Sequence, residues 1–541
     1  MGLTFRSRYI VFAFLNTIKE GKMTKQISIQ QAVELVKSEM TIGVGGFITY
    51  GIPESLLQGL KKRYKNTGLP KNLTLFHAAA SGDGKEGGCN NLGEVGLLKK
   101  LICGHIGQEP RLNKLVVEEQ IAAYMIPQGV ASHLIRAIAG GKTGVLTHIG
   151  LKTFADPRLE GCKVNRKAIE SGEEIVSLIT VNGKEQLHYN TFPIDICFIK
   201  VSYADEYGNC TLKKEACYTE QMEMAMATHN SGGIVVVEAD KVVVKGTIPT
   251  RDINIHGFMV DYVVKGDPDI SGQSITELIY HPELTGDITI PMDAVEPIPL
   301  NNRKVCGRRG AFELKAGILV NLGLGVPDAV GSVAGEEGIN GAFTLSVESG
   351  VLGGVPTGGV LLGGTVNPEA IYKQPDTFDL YDGGGIDLAF LGAAEIDEKG
   401  NVNVSKFSGR VVGPGGFVNI TQNAKKVGFT GTFTAKGLKE EIQNGKLVIL
   451  KEGENIKFKK NVEQISFSAE YAMETGQEVL YITERAVFKL TEKGLMLIEI
   501  APGIDLEKDI LDKMEFKPLI SENLKEMDAR IFREEKMGLE I

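Results

Sequence analysis

The sequence predicts two tandem α/β domains, each built on a largely parallel β-sheet, and three observations support this fold class. Uninterrupted apolar runs such as GGIVVVEADKVVV, residues 232–244, and GIDLAFL, residues 385–391, are typical of strands covered on both faces. Segments with the helical spacing of apolar residues alternate with these runs. The chain has 541 residues, 43% of them hydrophobic, which is too long for a single core.

Two segments illustrate the predicted helices. SIQQAVELVKSEM, residues 28–40, begins at Ser28, a residue type that caps helix N-termini. ASHLIRAIAGG, residues 131–141, ends on two glycines, which are a common stop signal. Because such helices alternate with buried strands, we expect parallel sheets whose ligand site lies at the carboxyl ends of the strands.

The tandem arrangement is inferred from an internal repeat. IDICFIKVSYADEYGN, residues 194–209, aligns without a gap with IDLAFLGAAEIDEKGN, residues 386–401. A second pair, GIPE at 51–54 and GVPD at 325–328, comes after a glycine-rich stretch in both halves. Two matched pairs in the same order predict a repeated half, with each copy entering a turn after its strand.

The two copies differ in length. Pro53 and Gly208 are 155 positions apart, whereas the matching Pro327 and Gly400 are 73 apart. The first half therefore carries an insertion of about 80 residues between its markers.

The junction between the halves is rich in proline. Residues 281–302 contain four prolines, which break long helices and favour an extended crossing segment. We predict an N-terminal domain at 23–290 that contains the insertion, a linker at 291–302 and a C-terminal domain at 303–541.

The first 22 residues differ in character from the rest of the chain. They hold two arginines and an apolar run from Tyr9 to Leu15 that is too short to span a bilayer. A weak signal peptide is one interpretation, but no small-residue cleavage site comes after the run. We predict a leader or an upstream-start extension at 1–22, with Met23 opening the domain proper.

Composition excludes several classes of protein. The formal net charge of -9 argues against a nucleic-acid binder, because phosphate backbones demand concentrated lysine and arginine. Seven cysteines without a CxxC pair predict buried thiols in a reducing compartment, and hence a cytoplasmic protein. Eight dispersed histidines without HExxH spacing give a catalytic metal no support.

Two glycine-rich stretches resemble nucleotide-binding loops only superficially. GVGG at 43–46 and GLG at 323–325 do not complete GxGxxG, and no acidic residue is present at the required distance. AIAGGKTG, residues 137–144, has Arg136 where a phosphate-binding loop needs its first glycine. We therefore predict neither a dinucleotide cofactor nor a nucleotide phosphate loop.

Glu348 is the candidate catalytic carboxylate. It comes after the strand-like GAFTLS, residues 341–346, and precedes Gly350, Gly353 and Gly354. A strand-end carboxylate on an exposed turn is one interpretation. The other is a nucleophile, because an acyl carbon must approach the carboxylate to about 3 to 3.5 Å and neighbouring glycines leave that approach open.

Attack on an acyl carbon creates an oxyanion, which needs N–H donors. Gln128 lies between a proline and a glycine just before a predicted helix, where its amide side chain has a fixed direction. RVVGPGGFVNITQ, residues 410–422, offers the backbone N–H groups of its glycines. These glycines are Gly413, Gly415 and Gly416. Each stretch can equally be an ordinary tight turn.

Taken in order, these motifs and others resemble the family I coenzyme A transferases. The likeness extends over about residues 25–520 and is greatest to the single-chain acetate and propionate CoA-transferases, in which two subunit-like halves are fused. The motifs that carry it are GGF to GIPE (45–54), PQG (127–129), KTFADPR (152–158), GLGVPD (323–328), VESGVLGGVP (347–356), FDLYDGGGIDLAF (378–390) and GNVNVSKFSGRVVGPGGFVNITQ (400–422).

The resemblance implies two CoA-transferase domains, α-subunit-like and β-subunit-like, and a ping-pong transfer of coenzyme A from a short-chain acyl-CoA to a free carboxylate such as acetate, propionate or butyrate. Glu348 would carry a glutamyl-CoA thioester, and Gln128 with the Gly416 N–H would form the oxyanion hole. The CoA site would include Gly413, Gly415, Gly416, Phe417, Lys406 and Arg410.

The resemblance also implies acyl-CoA and small carboxylates as partners, no nucleic-acid or membrane partner, no cofactor or metal, and a homo-oligomer. Because the first-half copy shows no aligned glutamate, we expect one active site per chain. Two alternatives stay open: an acyl-CoA hydrolase on the same scaffold and a non-catalytic CoA-binding protein. Motifs do not separate acyl groups that differ by one or two small substituents.

Overall fold

The computed structural model describes residues 25–291 and 297–541. The predicted leader at 1–22 lies outside the described residues, and so do residues 292–296 of the predicted linker. The predicted domain boundaries at the linker thus stay a prediction.

The described part of the first half contains eleven strands. They are β1 (Thr41–Val44), β2 (Leu73–His77), β3 (Leu98–Cys103), β4 (Ala122–Met125), β5 (Gly144–Thr147), β6 (Val176–Val181), β7 (Lys184–Asn190), β8 (Ile196–Asp205), β9 (Cys210–Thr211), β10 (Ile234–Val243) and β11 (Tyr262–Lys265).

Eight of these strands form one sheet. Seven are arranged in the order β11-β10-β8-β1-β2-β3-β4, and every neighbouring pair along it is parallel. The short β9 pairs antiparallel with β8. Strands β5, β7 and β6 form a separate antiparallel sheet.

The second half contains twenty-one described strands. They are β12 (Leu319–Leu322), β13 (Thr344–Ser346), β14 (Val351–Leu352), β15 (Val355–Pro356), β16 (Thr365–Val366), β17 (Ala370–Ile371), β18 (Leu388–Leu391), β19 (Glu395–Asp397), β20 (Val402–Asn403), β21 (Lys406–Phe407), β22 (Arg410–Val411), β23 (Lys426–Thr430), β24 (Thr434–Ala435), β25 (Lys439–Gln443), β26 (Lys446–Lys451), β27 (Asn455–Ile456), β28 (Phe458–Lys459), β29 (Glu478–Ile482), β30 (Ala486–Thr491), β31 (Gly494–Ile500) and β32 (Leu519–Glu526).

Ten of them form the second large sheet, in the order β17-β14-β13-β12-β18-β23-β29-β30-β31-β32. Its centre, from β13 to β29, is parallel. Toward its edges β14 and β30 pair antiparallel, because short turns rather than helical crossovers connect them to β13 and β29. The predicted α/β class with largely parallel sheets is confirmed, with these antiparallel edge pairs as a refinement.

Eleven α-helices are described. They are α1 (Ile29–Glu34), α2 (Glu54–Thr67), α3 (Pro110–Val117), α4 (Gln128–Ala139), α5 (Arg166–Glu170), α6 (Gln221–Asn230), α7 (Asn302–Ala311), α8 (Ala329–Glu337), α9 (Gln374–Asp382), α10 (Phe417–Asn423) and α11 (Ala469–Glu474).

The two helices predicted from sequence are present, but α1 ends at Glu34, well before the end of the predicted segment 28–40. Ser28 caps α1: its hydroxyl accepts the Gln31 N–H, and the Gln31 side chain accepts the Ser28 N–H in return. Helix α4 ends before Gly140, as predicted, but begins at Gln128 instead of Ala131. The earlier start places Gln128 on the first helical turn, directly after Pro127.

The internal repeat is visible in the sheets. The order β11-β10-β8-β1-β2 of the first sheet matches β29-β23-β18-β12-β13 of the second. The aspartate at the second position of each repeated segment makes the same hydrogen bond. Asp195 accepts the Thr41 N–H and Asp387 accepts the Leu319 N–H, each at 2.9 Å.

The closing turn of the repeat is also the same in both halves. The Asp205 carboxylate accepts the Asn209 N–H at 2.9 Å, and the Asp397 carboxylate accepts the Asn401 N–H at 2.9 Å. In each copy the asparagine amide bonds the same aspartate again. The extra length of the first half lies between β2 and β8, where β3, β4 and the three-stranded sheet are inserted.

The two halves pack on each other. The main core of the first half, which surrounds its large sheet, includes Val411 and Val418 from the second half. The seven cysteines are free and buried, as the sequence predicts. No helix among the described residues combines the length and apolar character needed to cross a bilayer.

Candidate active site

Glu348 lies in the turn between β13 and β14. The turn closes through bonds from the Val347 N–H to the Val351 carbonyl and from the Gly350 N–H to the Val347 carbonyl. Gly350 has φ +104°, and a Cβ there would lie 2.1 Å from the Tyr372 carbonyl oxygen. Glycine is therefore required at this position, and the turn holds Glu348 at the carboxyl end of a sheet strand.

The carboxylate of Glu348 meets the start of α10. The Gly416 N–H donates to Glu348 Oε2 at 3.1 Å. Part of Glu348 is accessible to solvent, but protein atoms pack densely around the carboxyl group, and this burial raises its pKa to about 7. A Cβ on Gly416 would lie 2.0 Å from Glu348 Oε2, so a side chain there is incompatible with this contact.

Gln128 approaches the same point from the first half. Its backbone N–H donates to the Gly415 carbonyl at 2.9 Å, while its side-chain Nε2 is buried without a hydrogen-bond partner among the described residues. A Cβ on Gly415 would lie 3.6 Å from Gln128 Oε1 and 3.9 Å from Glu348 Oε1. The amide of one half and the carboxylate of the other thus flank one glycine.

Further backbone bonds fix this junction. The Gly415 N–H donates to the Gly104 carbonyl at 2.9 Å, and the Ile106 N–H donates to the Val412 carbonyl at 2.7 Å. The Gly129 N–H donates to Asn419 Oδ1 at 3.1 Å. These hydrogen bonds therefore fix three segments relative to one another: the loop after β3, the start of α4 and the loop before α10.

The structure places the predicted CoA-binding residues in three locations. Gly413 and Gly415, with φ of +82° and +55°, lie in the loop that reaches Glu348. Lys406 and Arg410 lie on the β21–β22 hairpin just before that loop and line a cavity of about 630 Å³ between the halves. The ring of Phe417 packs on Phe429 in the core of the second half, with ring centroids 5.8 Å apart, and so anchors the end of the loop to that core.

Residues near Glu348 that sequence reasoning missed include Gln374 and His105. Gln374 is the first residue of α9, and its side-chain amide donates to the backbone carbonyl of Glu348 at 3.2 Å. The His105 ring lies 3.6 Å from a Cβ on Gly415, and burial lowers its pKa to about 4. Because Nδ1 accepts the Gly107 N–H, the neutral ring carries its proton on Nε2. Gln374 could have been found from the sequence, because it lies four positions before the FDLYDGGG motif.

The first half has no second copy of the carboxylate. Glu348 is the second residue after β13, and the second residue after the matching β2 is Ala79.

One buried cluster in the first half contains potential metal ligands. His77, Cys89 and Glu109 are fully buried, with His77 Nε2 and Glu109 Oε2 3.4 Å apart. Burial raises the pKa of Glu109 to about 8 and lowers that of His77 to about 4, so the core favours the uncharged form of each.

Comparison with known proteins gives a consistent result. Residues 26–266 match the family model described as Coenzyme A transferase. The chain is 45% identical to caffeate CoA-transferase of Acetobacterium woodii, over 96% of this chain and 99% of that protein. It is 42% identical to acetate CoA-transferase YdiF of Escherichia coli K12, over 95% of this chain and 96% of that protein.

Solved structures agree. The crystal structure of the acyl-CoA transferase YdiF apoenzyme from Escherichia coli O157:H7 has a TM-score of 0.90 at 41% identity, covering 96% of this chain and 98% of that chain. A second YdiF structure, described as a thioester complex with CoA, has a TM-score of 0.91 at 40% identity with the same coverage.

Proposed function

The chain belongs to the coenzyme A transferase family, and we propose that Glu348 is the residue through which it moves coenzyme A from an acyl-CoA to a free carboxylate. The observation that carries the assignment is the contact of the Gly416 N–H with Glu348 Oε2 at 3.1 Å, with the side chains of Glu348 and Gln128 both within 4 Å of the Cβ position of Gly415. A nucleophile and two separate N–H donors thus converge at the junction of the halves.

In the first step, a carboxylate oxygen of Glu348 attacks the thioester carbonyl carbon of the donor acyl-CoA. The carbonyl electron pair moves to the oxygen, and the unpartnered Nε2–H of Gln128 is the donor for that oxyanion. Collapse breaks the C–S bond and releases CoA as a thiolate. An acyl-glutamyl anhydride remains on Glu348.

In the second step, the CoA thiolate attacks the side-chain carbonyl carbon of Glu348. The new oxyanion is now an oxygen of Glu348 itself, which is the atom that the Gly416 N–H already contacts. Collapse expels the donor's carboxylate and leaves a glutamyl-CoA thioester. The acceptor carboxylate then reverses both steps, which produces the new acyl-CoA and restores Glu348. Coenzyme A is a substrate, and these steps consume no other cofactor.

The two oxyanions arise on different oxygens, so they need different donors. Gln128 projects from the first half and Gly416 from the second. This division is the physical reason why both halves are needed for one reaction.

We extend the proposal to setting and substrates. Seven buried free thiols suit the reducing cytoplasm, and the net charge of -9 fits a protein without a nucleic-acid partner. The family resemblance supports a homo-oligomer without a membrane partner. By name, two relatives act on caffeate and acetate. A monocarboxylate of the acetate, propionate or butyrate class is therefore the proposed acceptor.

Mass spectrometry of protein incubated with acetyl-CoA tests the assignment of Glu348. We expect a CoA-sized mass increase on the peptide that contains Glu348, absent in Glu348→Gln and retained in Glu441→Gln, an exposed glutamate of the same half. An unmodified peptide during turnover contradicts the proposal. Release of CoA without any acceptor would instead identify a hydrolase, and binding without turnover a CoA-binding protein.

A further inference from the structure

The buried cluster of His77, Cys89 and Glu109 has the composition of a transition-metal site. Each residue is fully buried, and Nε2, Sγ and a carboxylate oxygen of the three lie within 4.8 Å of one another. Imidazole, thiolate and carboxylate are the side-chain groups that bind Zn²⁺ in proteins. The members lie 12 and 20 positions apart along the chain, so their spacing in the sequence does not reveal the cluster.

The hydrogen bond of His77 leaves its other ring nitrogen free to bind a cation. Nδ1 lies 2.6 Å from the Ala79 carbonyl oxygen. Because a carbonyl only accepts, Nδ1 carries the ring proton and Nε2 keeps a lone pair. Metal-binding histidines are commonly oriented in this way, by an N–H donated to a backbone carbonyl. Nε2 of His77 is buried and has no hydrogen-bond partner among the described residues.

Glu109 is oriented in the same manner. Its Oε1 accepts the Ser81 N–H at 2.5 Å, whereas its buried Oε2 has no hydrogen-bond partner within the described part of the chain. Glu109 Oε2 therefore has a lone pair that is free for a cation, as His77 Nε2 has.

The separation of these two free atoms is that of two metal ligands. Glu109 Oε2 and His77 Nε2 lie 3.4 Å apart. A proton shared between them would bring the two atoms to about 3 Å or less. Two ligand atoms held about 2.0 to 2.2 Å from a tetrahedral ion lie about 3.3 to 3.6 Å apart. The observed separation therefore fits a shared metal ion better than a shared proton.

Backbone contacts bring Cys89 to the same place. Cys89 begins a short 3₁₀ turn, Cys89–Leu92, and its N–H donates to the Ser81 carbonyl at 2.7 Å. The preceding Gly88 has φ +68°, and a Cβ there would lie 2.2 Å from that carbonyl oxygen. A side chain at position 88 would thus prevent this approach. The backbone of Ser81 therefore holds both Cys89 and Glu109.

The charges of the three groups balance those of a divalent ion. Among the described residues, Glu109 forms an ion pair with no lysine or arginine, and its listed partner His77 is neutral in the tautomer above. A divalent ion would displace one proton from the Glu109 carboxyl and one from the Cys89 thiol. Two anionic ligands and one neutral imidazole then cancel the charge of the ion, which the core tolerates.

The ligand types select the class of metal. Ca²⁺ and Mg²⁺ are bound by oxygen atoms, whereas this cluster offers one sulfur and one nitrogen beside its carboxylate. Imidazole and thiolate suit Zn²⁺. Three protein ligands leave one position of a tetrahedral ion to a water molecule.

The cluster lies in the framework behind the catalytic loop. His77 ends β2, and the carbonyl of the next residue, Ala78, accepts the Gly104 N–H at 3.0 Å. The Gly104 carbonyl in turn accepts the Gly415 N–H at 2.9 Å. Glu109 directly precedes α3. An ion bound by His77 and Glu109 would therefore join the two segments on which the Gly415 loop rests.

We propose that His77, Cys89 and Glu109 bind one Zn²⁺ ion, which holds the end of β2, the Cys89–Leu92 turn and the segment before α3 together. This structural site goes beyond the proposed function, because none of the transfer steps at Glu348 passes through it. The family resemblance implies a transfer without metal, and a structural ion leaves that chemistry unchanged.

The first experiment measures zinc content and affinity. The full chain is stripped with a chelator, reloaded with Zn²⁺ alone and desalted, and mass spectrometry of the metal should find about one ion per chain. Titration with a competing chelator should show binding at least about one hundredfold weaker in Cys89→Ser and in Glu109→Gln, since even residues that only orient a ligand cost tenfold or more. Cys306→Ser, the same change at a buried cysteine of the other half, should bind as wild type does.

Two further readouts identify the ligands and the role of the ion. Co²⁺ in place of Zn²⁺ should give a thiolate-to-cobalt charge-transfer band in wild type and Cys306→Ser that is absent in Cys89→Ser. Zn²⁺ should raise the Tm of the stripped wild-type protein, because an ion bound only by the folded state stabilises it. The Tm of Glu109→Gln should not respond.

Three outcomes overturn the proposal. The first is a reloaded wild type with less than about one zinc ion per ten chains. The second is unchanged zinc affinity in Cys89→Ser or Glu109→Gln, which would identify adventitious binding elsewhere. The third is a cobalt spectrum of wild type without a thiolate band. If circular dichroism shows that Cys89→Ser does not fold, Glu109→Gln and the wild-type spectrum still decide. Failure of the proposed function is separate, because it appears as absent exchange of labelled acetate with acetyl-CoA.

Discussion

The backbone N–H of Gln128 donates to the carbonyl of Gly415 at 2.9 Å, and this bond joins the first helical turn of one half to the catalytic loop of the other. Because the bond uses the backbone, it fixes where the Gln128 side chain starts and leaves its amide available for the proposed bond to the substrate oxyanion. The Nε2 of that amide has no partner among the described residues. Removal of the Gln128 side chain should therefore lower the catalytic rate more than it lowers the stability of the fold.

Gln128→Ala should lower kcat by about one hundredfold, as expected for the loss of one oxyanion donor. The KM for acyl-CoA should change little, since the ground-state thioester needs this bond less than the oxyanion does. Steady-state kinetics of acetyl transfer measures both constants. Gln186→Ala, a partly buried glutamine of the three-stranded sheet, is the control. An unchanged kcat would remove Gln128 from the site.

Gly416→Ala should lower kcat by about one hundredfold or more while the protein remains folded. The φ of Gly416 is -77°, which alanine adopts freely, but the added Cβ would lie 2.0 Å from Glu348 Oε2. The carboxylate must then move away from its donor. Gly392→Ala adds the same methyl group where no described atom lies within 4 Å, and it should be active. Wild-type activity in Gly416→Ala contradicts the described contact.

The rate of the first step should fall as the pH drops below about 7. Burial raises the pKa of Glu348 to about 7, so the protonated and non-nucleophilic form accumulates at lower pH. Single-turnover release of CoA from acetyl-CoA should slow about tenfold between pH 8 and pH 6, as one ionisation near pH 7 requires. A rate that stays flat down to pH 5 would show that the carboxylate has an ordinary pKa.

Glu348→Gln should stabilise the protein at pH 8 but have little effect near pH 4.5. The folded-state pKa is higher than the unfolded-state value, so ionisation costs folding free energy once the pH exceeds the unfolded pKa, and the full cost is reached above the folded pKa of about 7. Glutamine removes that cost, about 1 to 2 kcal/mol after allowance for the partial exposure of Glu348.

Thermal unfolding of wild type and Glu348→Gln at the two pH values measures this difference. Glu441→Gln, at an exposed position, should shift neither midpoint. A Glu348→Gln variant that is less stable than wild type at pH 8 would mean that the ionised carboxylate is well solvated or paired in the folded protein.

Much of the fold was predictable because its signals are local. The repeated segments that begin at Ile194 and Ile386 encode a strand and a turn through residues a few positions apart, and both copies form as aligned. Ser28 and Gly140 likewise act on their own helix ends. The antiparallel pairs β13–β14 and β29–β30 of the second sheet were not predicted, since turn residues alone do not reveal which neighbouring strands pair.

Local sequence patterns predicted the residue types of the site, whereas only the family resemblance pointed to Gly416 as the donor. Glu348 was singled out by its glycine neighbours, whereas the contact with Gly416 joins residues 68 positions apart. Nothing local distinguishes Gly416 from Gly413 as the donor. Gln374 resembles an ordinary helix residue in the sequence, because its burial is created by packing between distant segments.

The contacts around Gly415 also determine at which stage of translation the proposed active site can first form. A nascent chain that has emerged only as far as Glu348 lacks the loop that positions this carboxylate, and Gln128 was made more than two hundred residues earlier. A truncated or proteolysed chain that lacks either half therefore has a carboxylate or an amide, but no centre that consumes acyl-CoA. Under the proposed mechanism, only a chain in which both halves have folded together transfers CoA.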